Sequence, residues 1–194
     1  GMLFWDSSGA ITEANDAFLR IVGFTPEDVR AGRVNWRAMT PPEYRAFDER
    51  TLRQIEEVGN SEPFEKEYVR KDGSRVPVLI GGASLKNQTG EGVAFVLDIS
   101  TRKQAENQLR KLSRVVEQAP ISIVITNLEG AIEYVNPTFI EVTGYSMEEA
   151  LGRNPRMLKS GLTPIEVYRE MWATIGAGRV WRGELHNRKK NGDT

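Results

Sequence analysis

The chain has 194 residues, enough for one domain or two small ones, with 26 basic and 27 acidic residues and a formal net charge of −1. That balance argues against a nucleic-acid-binding face, and no apolar stretch approaches the ~20 residues that span a bilayer. The absence of cysteine excludes disulfides and thiolate chemistry, and the single histidine, His186, excludes multi-histidine metal sites, so binding or relay is favoured over catalysis.

No signal peptide is visible, and the expectation is a cytoplasmic chain without membrane contact. Met2-Leu3-Phe4-Trp5-Asp6 is a short apolar strand, Ser7-Ser8-Gly9 turns it, and Ala10 to Glu13 returns as a hairpin. Ala17, Phe18, Ile21 and Val22 have the spacing of a short helix that Gly23 stops. Thr25-Pro26-Glu27-Asp28 starts another, with Thr as cap, Pro at N1 and acids in the first turn. Thr40-Pro41-Pro42-Glu43 predicts a capping box, followed by one inward face of Tyr44, Phe47, Thr51, Leu52, Ile55 and Val58, with Gly59 as the stop.

From Phe64 the period becomes that of strands. Phe64 to Val69 alternates with charge, Asp72-Gly73 supplies a hairpin turn, Val76, Val78 and Ile80 alternate, and Val93 to Ile99 reads as a buried strand. The order predicts an α+β fold, an antiparallel sheet with helices on one face.

Thr101 and Gln104 then predict a capping box that opens a helix over 101–119. Ala105, Leu109, Leu112, Val116 and Ala119 follow at coiled-coil spacing, and Pro120 closes the helix. A dimeric coiled-coil linker is the favoured reading, and a helix folded back on its own domain is the alternative.

Near its middle the chain begins again. Gly130, Asn136, Phe139 and Gly144 each lie 121 positions after Gly9, Asn15, Phe18 and Gly23. A period that long is no solenoid repeat but one small domain plus a linker, so two copies of one domain are expected. In the second copy Ile121 to Ile125 predicts a strand, Leu162-Thr163-Pro164-Ile165-Glu166 a capping box with a Leu162–Val167 staple, and Val180 to Arg188 a strand before a turn at Lys190-Asn191-Gly192-Asp193. The first copy has two more strands after its turn. The second therefore lacks its last two strands, and the expectation is that a longer parent chain or a swapped partner completes the sheet. The implied domains are 1–100 and 120–194, with a helical linker over 101–119.

These elements, in this order, resemble the PAS sensory family. The carrying residues are Gly9, Asn15, Phe18 and Gly23-Phe24, then Gly130, Asn136, Phe139 and Gly144-Tyr145, the Lys71-Asp72-Gly73 and Lys190-Asn191-Gly192 turns, and the Asp98-Ile99-Ser100 exit. The resemblance implies five strands in each complete domain. The second copy goes further. Gly152-Arg153-Asn154-Pro155-Arg156 resembles the flavin-contacting motif of the blue-light LOV subfamily, with Pro155 where that subfamily has its cysteine, so a cysteinyl-flavin adduct is out. Met171-Trp172, Trp181 and Asn187 to Asp193 look like the flavin PAS sensors of aerotaxis and nitrogen fixation.

That resemblance implies FAD or FMN in the second domain. Asn187 and Asn154 would meet the polar edge of the isoalloxazine, Arg156 and Lys159 the phosphates, and Trp172 and Trp181 the ring. The bland readings stand beside these: Asn154 as a helix cap, the cations solvated, the tryptophans core. In the first domain Tyr68 aligns with Asn187, and no cofactor is expected. Haem is not expected either, because His186 is off the long helix. The functional expectation is the sensory input of a larger signalling protein, a histidine kinase or a diguanylate cyclase or phosphodiesterase. It would act as a homodimer with its output domain in the same parent chain, relaying through Asp98, Ile99, Leu109, Leu112 and Val116. The alternative is a ligand-free PAS dimerisation and interaction module. No catalytic residue is assigned: Glu65, Glu67 and Glu184 sit at strand positions that suggest a solvated face.

Overall fold

The computed structural model describes residues 1–85 and 90–194, in two compact units, Gly1–Asn107 and Gln108–Thr194. In the first unit β1 (Met2–Trp5) and β2 (Ile11–Ala14) form the expected hairpin. Three short helices follow: α1 (Asp16–Val22), α2 (Pro26–Arg30) and α3 (Trp36–Met39). A 3₁₀ turn at Pro42–Tyr44 leads into α4 (Arg45–Val58). Strands β3 (Phe64–Val69), β4 (Arg75–Ser84) and β5 (Gly92–Asp98) complete a five-stranded antiparallel sheet in the order β2-β1-β5-β4-β3. The last strand thus pairs with the first, Met2 against Phe95. One sheet face packs on the helices through Leu3, Tyr68, Val76, Val78 and Val96 against Phe18, Val22, Val34 and Trp36. This is the α+β architecture the residue pattern predicts.

Local chemistry explains most boundaries. The Asn15 side-chain oxygen accepts the Phe18 N–H at 3.0 Å, capping α1, and the Met2 N–H at 2.9 Å, fixing β1. Gly23 ends α1 at φ 75°, where a side chain would be strained. Thr25 and Asp28 form a full capping box. Asp28 then also receives Lys71 Nζ at 2.5 Å and Arg33 at 2.7 Å, tying the β3–β4 turn to α2.

Three expectations in this unit are corrected. Thr40 caps no helix: its hydroxyl donates to the Trp36 carbonyl and accepts Lys66 Nζ, so its oxygen is already engaged. On α4, Phe47 and Val58 are exposed, while Asp48 turns inward with Ile55. Thr101 does not open the linker helix: α5 runs Ser100–Glu117, and Asp98 accepts the Ser100 N–H at 2.8 Å.

Asp48 turns inward because Lys66, on β3, is buried opposite it. The ammonium lies 2.8 Å from both carboxylate oxygens and 3.0 Å from Thr40 Oγ1, with Tyr68 and Trp36 rings 4.6 and 5.4 Å away. Burial pulls the Lys66 pKa down, and the Asp48 charge and hydrogen bond pull against that shift.

The second unit begins within α5. Strands β6 (Val124–Thr126) and β7 (Ile132–Val135) form a two-stranded sheet, followed by α6 (Pro137–Thr143), α7 (Met147–Ala150), a 3₁₀ turn at Pro155–Leu158 and α8 (Ile165–Gly176). The duplicated contacts are close. Asn136 accepts the Phe139 and Ile123 N–H groups, Gly144 ends α6 at φ 77°, Ser146 and Glu149 form a capping box, and Glu149 binds Lys190 Nζ at 2.5 Å.

Here too the structure departs from expectation. Thr163 does not cap α8, because its hydroxyl accepts the His186 N–H, and Leu162 is exposed, so no staple forms. Val180 to Arg188 is not a strand. A strand needs a ladder neighbour, and this segment directs its donors to the 158–163 stretch instead: Arg188 N–H to the Leu158 carbonyl and His186 N–H to Thr163, with one bridge, Lys159 to Asn187.

Two outcomes follow from these ion pairs. Asp48→Ala alone strands a buried ammonium and should cost about 3–5 kcal/mol, whereas Asp48→Leu with Lys66→Met should cost less than about 1 kcal/mol. Urea unfolding of both variants checks this, and equal losses would contradict it. The Asp28 carboxyl is held far below the usual carboxylate range by Lys71, the Thr25 N–H and Arg33. Its contribution is therefore complete above the unfolded-state value near ~4 and is lost as pH falls toward the folded-state value. The gap in urea midpoint between wild type and Asp28→Asn should be flat from about pH 5 to 8 and shrink below about pH 4; a gap that widens in acid would refute this origin.

Candidate functional site

The second unit has an open cavity of about 640 Å³. The strand β6 and helix α6 supply Val124, Phe139 and Val142; the 3₁₀ turn supplies Pro155, Arg156 and Leu158; α8 supplies Tyr168, Met171, Trp172 and Ile175. The segment after α8 closes one side with Leu185, Asn187, Arg188 and Lys189. The helical period of α8 puts Tyr168, Met171, Trp172 and Ile175 on one face, which is why all four meet the cavity.

Four of the six residues expected to hold a cofactor line this space: Arg156, Lys159, Trp172 and Asn187. Two do not. Asn154 is a cap, its side-chain oxygen accepting the Arg156 N–H at 3.0 Å. Its amide nitrogen lies where a Cβ on Gly130 would be only 2.7 Å away, so a glycine is needed there. Trp181 lies outside the lining, in the segment that forms no strand. Asn187 reaches the cavity from the bridge with Lys159, not from a strand interior.

The lining side chains are lopsided in charge. Arg156, Lys159, Arg188 and Lys189 are cations, and no Asp or Glu stands among the lining residues. Among the described residues, none of the four makes a carboxylate ion pair. Lys159 Nζ sits 4.0 Å from the centre of the Tyr168 ring, and Tyr168 is nine-tenths buried. The Tyr168 hydroxyl has no hydrogen-bond partner, the one such buried side-chain atom among the described residues. Residue spacing places Tyr168 on the apolar face of α8 and says nothing of its oxygen.

The first unit has a cavity in the corresponding place, between sheet and α4, but of about 50 Å³. Trp36, Asp48, Lys66 and Tyr68 line it, so its polar wall is the Lys66–Asp48 pair. Tyr68, where the second unit has Asn187, is fully buried, and burial raises its pKa well above the ordinary phenol value. Trp36 belongs to the core.

The relay residues lie at the start of α5 and along it. Asp98 accepts the Ser100 N–H at the start of α5 and approaches Arg70 at 3.8 Å, and the N–H of the buried Ile99 donates to the Pro77 carbonyl. Glu65 on β3 holds Lys103 at 2.5 Å and also pairs with Arg102, a clamp that spacing alone does not reveal. Glu67 is likewise engaged, by Arg75. Further along, Leu109 and Leu112 are 68% and 63% exposed. The carbonyls of Val116 and Ala119 accept hydrogen bonds from Asn136 and Thr138 of the second unit.

A family model described as "PAS domain" matches residues 1–101 and 120–194. The hybrid signal transduction protein dokA of Dictyostelium discoideum is 36% identical over 118 residues, covering 61% of this chain and 7% of that protein. The nitrogen fixation regulatory protein of Klebsiella oxytoca is 45% identical over 78 residues, covering 40% and 16%. The aerotaxis receptor of Escherichia coli K12 is 37% identical over 68 residues, covering 35% and 13%. The chain thus spans 7–16% of the length of these relatives. Among solved structures, an RNA-binding light-oxygen-voltage receptor aligns over 99% of this chain and 87% of its own, at 14% identity and a TM-score of 0.38. Among the described residues no helix is long and apolar enough to cross a membrane. With the repeated Asn, Gly and Lys contacts and the family match over both halves, the chain belongs to the PAS domain family, the sensory domains of signal-transduction proteins.

Proposed function

We propose that this chain is the input of a larger signalling protein, and that its second domain senses through a bound flavin. The observation that carries this is the 640 Å³ cavity, with one apolar wall and with Arg156, Lys159, Arg188 and Lys189 as its charged side chains. A flavin nucleotide has that division, a flat apolar ring system and an anionic phosphate tail. Phe139, Leu158, Met171 and Trp172 would contact the ring, and Asn187 would donate to or accept from its polar edge. Arg156 and Lys159 would take the phosphate. The flavin would supply a redox change that alters charge and hydrogen bonding inside the cavity. The similarity to an aerotaxis receptor and a nitrogen fixation regulator supports a redox input. The first domain, whose cavity between sheet and α4 is about 50 Å³, would carry no flavin there.

The proposed division of the chain is 1–100, 101–119 and 120–194, with the middle segment as relay. Glu65, Asp98 and Ile99 would pass a change in the first sheet to the start of α5, and Asn136 would pass one from the second domain to its end. The exposed Leu109, Leu112 and Val115 favour pairing with a second copy of α5. Val116, half-buried, sits at the edge of that seam. A histidine kinase or a diguanylate cyclase or phosphodiesterase in the same parent chain would receive the signal.

The first measurement is titration of FMN or FAD with the purified 194-residue chain, followed by flavin fluorescence. Saturable binding, at least about tenfold weaker in Asn187→Ala, is expected, since an amide–flavin hydrogen bond is lost. No binding of either nucleotide would sink the flavin reading and leave the dimerisation module. Independently, Leu109→Asp should shift sedimentation from dimer toward monomer; an unchanged distribution would count against the seam.

A further inference from the structure

The Lys66–Asp48 pair of the first domain is more than the fold requires. A buried ion pair can be exchanged for apolar side chains of similar volume at little cost to stability. The second domain makes that exchange. Thr40-Pro41 aligns with Thr163-Pro164, which puts Met171 at the position of Asp48, and Tyr68 aligns with Asn187, which puts Leu185 at the position of Lys66. Met171 and Leu185 both line the second cavity. What the first domain assembles instead is the set of groups that recognises an ammonium. Asp48 meets Lys66 Nζ with both carboxylate oxygens at 2.8 Å, and Thr40 Oγ1 accepts from it at 3.0 Å. An ammonium has three N–H donors and no acceptor, and these three oxygens take them all. The ring faces of Tyr68, Trp36 and Phe64 stand around the nitrogen at 4.6, 5.4 and 5.9 Å, within cation–π range.

Asp48, Thr40 and Trp36 come from elements other than β3, so they form a receptor into which the side chain of Lys66 is inserted. Lys66, Asp48, Trp36 and Tyr68 also border the 50 Å³ cavity, so space adjoins the pair. We infer that the interior of the first domain is a binding cage for a primary alkylammonium ion, and that Lys66 occupies it as a ligand carried on the chain. The inference does not depend on a flavin in the second domain. It also gives the cage a place in the relay. Glu65, next to Lys66, points to the opposite face of β3 and holds Lys103 and Arg102 of α5. The occupied cage ties β3 to α4 on one face of the sheet, and the adjacent residue ties it to the linker helix on the other.

Without its lysine the cage should accept a solute. Lys66→Ala deletes the atoms of n-propylammonium, so that ion fits the space left behind. The 194-residue variant, refolded from urea with propylammonium chloride, should melt at least about 4 °C above the same variant in sodium chloride of equal ionic strength. Wild type, Lys66→Met and the double variant Lys66→Ala with Asp48→Ala should each shift by less than about 1 °C. The cage is filled in the first two, and its carboxylate is gone from the third. An equal shift in all four proteins would be a solvent effect and would overturn the inference, as would no shift in Lys66→Ala. If Lys66→Ala populates no folded state under either condition, Lys66→Val decides. Its side chain suits a strand and stops at Cγ, leaving van der Waals room for an ammonium ion. Ammonium chloride should then raise its melting temperature above that in sodium chloride, and equal temperatures overturn the inference.

Discussion

In each half of this chain one amide oxygen receives N–H groups from two different elements. Asn15 takes the N–H of Met2, which opens a strand, and of Phe18, which opens a helix; Asn136 does the same for Ile123 and Phe139. Orphan donors at a helix start and at a strand start must be met somewhere. Meeting both with one side chain locks the angle at which α1 leaves the sheet, and likewise α6. Asn136 is fully buried, and its amide nitrogen binds the Val116 and Ile121 carbonyls, so the same residue also seats the end of α5. Phe139 is placed by that lock, and Phe139 forms a wall of the second cavity.

Around a common frame the two interiors have been solved differently. The Asp28–Lys71 and Glu149–Lys190 contacts tie the same turn to the same small helix in both units. What lies between sheet and long helix is not conserved in kind. The first unit fills it with an ammonium, a carboxylate and aromatic rings. The second has apolar walls, a cationic lining and an unpaired phenol. Neither difference disturbs the caps and glycine stops, because those depend on local backbone groups.

Local signals were readable. The Gly23 and Gly144 stops, the Thr25 cap, the Asp72-Gly73 turn and the order of elements each depend on residues within a few positions of one another. Failures came where a polar atom had a distant partner. Thr40 and Thr163 look like caps, yet their oxygens serve Lys66 and His186, each more than twenty residues away. Nothing in the spacing of Lys66 announces Asp48, eighteen residues away, as its partner. Val180 to Arg188 has the composition of a strand, but a ladder needs a neighbour, and its donors went to the 158–163 segment. Of the cavity lining, Arg156, Lys159, Trp172 and Asn187 were singled out through the family resemblance; Tyr168 was not, because its unpaired oxygen shows only in three dimensions.

The Lys66–Asp48 pair also sets how the first domain responds to its surroundings. A partner that is part of the chain is present at an effective concentration no solute reaches, so its occupancy is independent of supply. A cavity that draws its partner from solution gains stability with the logarithm of ligand concentration once that exceeds the dissociation constant. On the proposed reading, the half with the cation-lined cavity would be the one whose folding free energy follows a ligand supply, while the Lys66–Asp48 pair is satisfied within the chain itself.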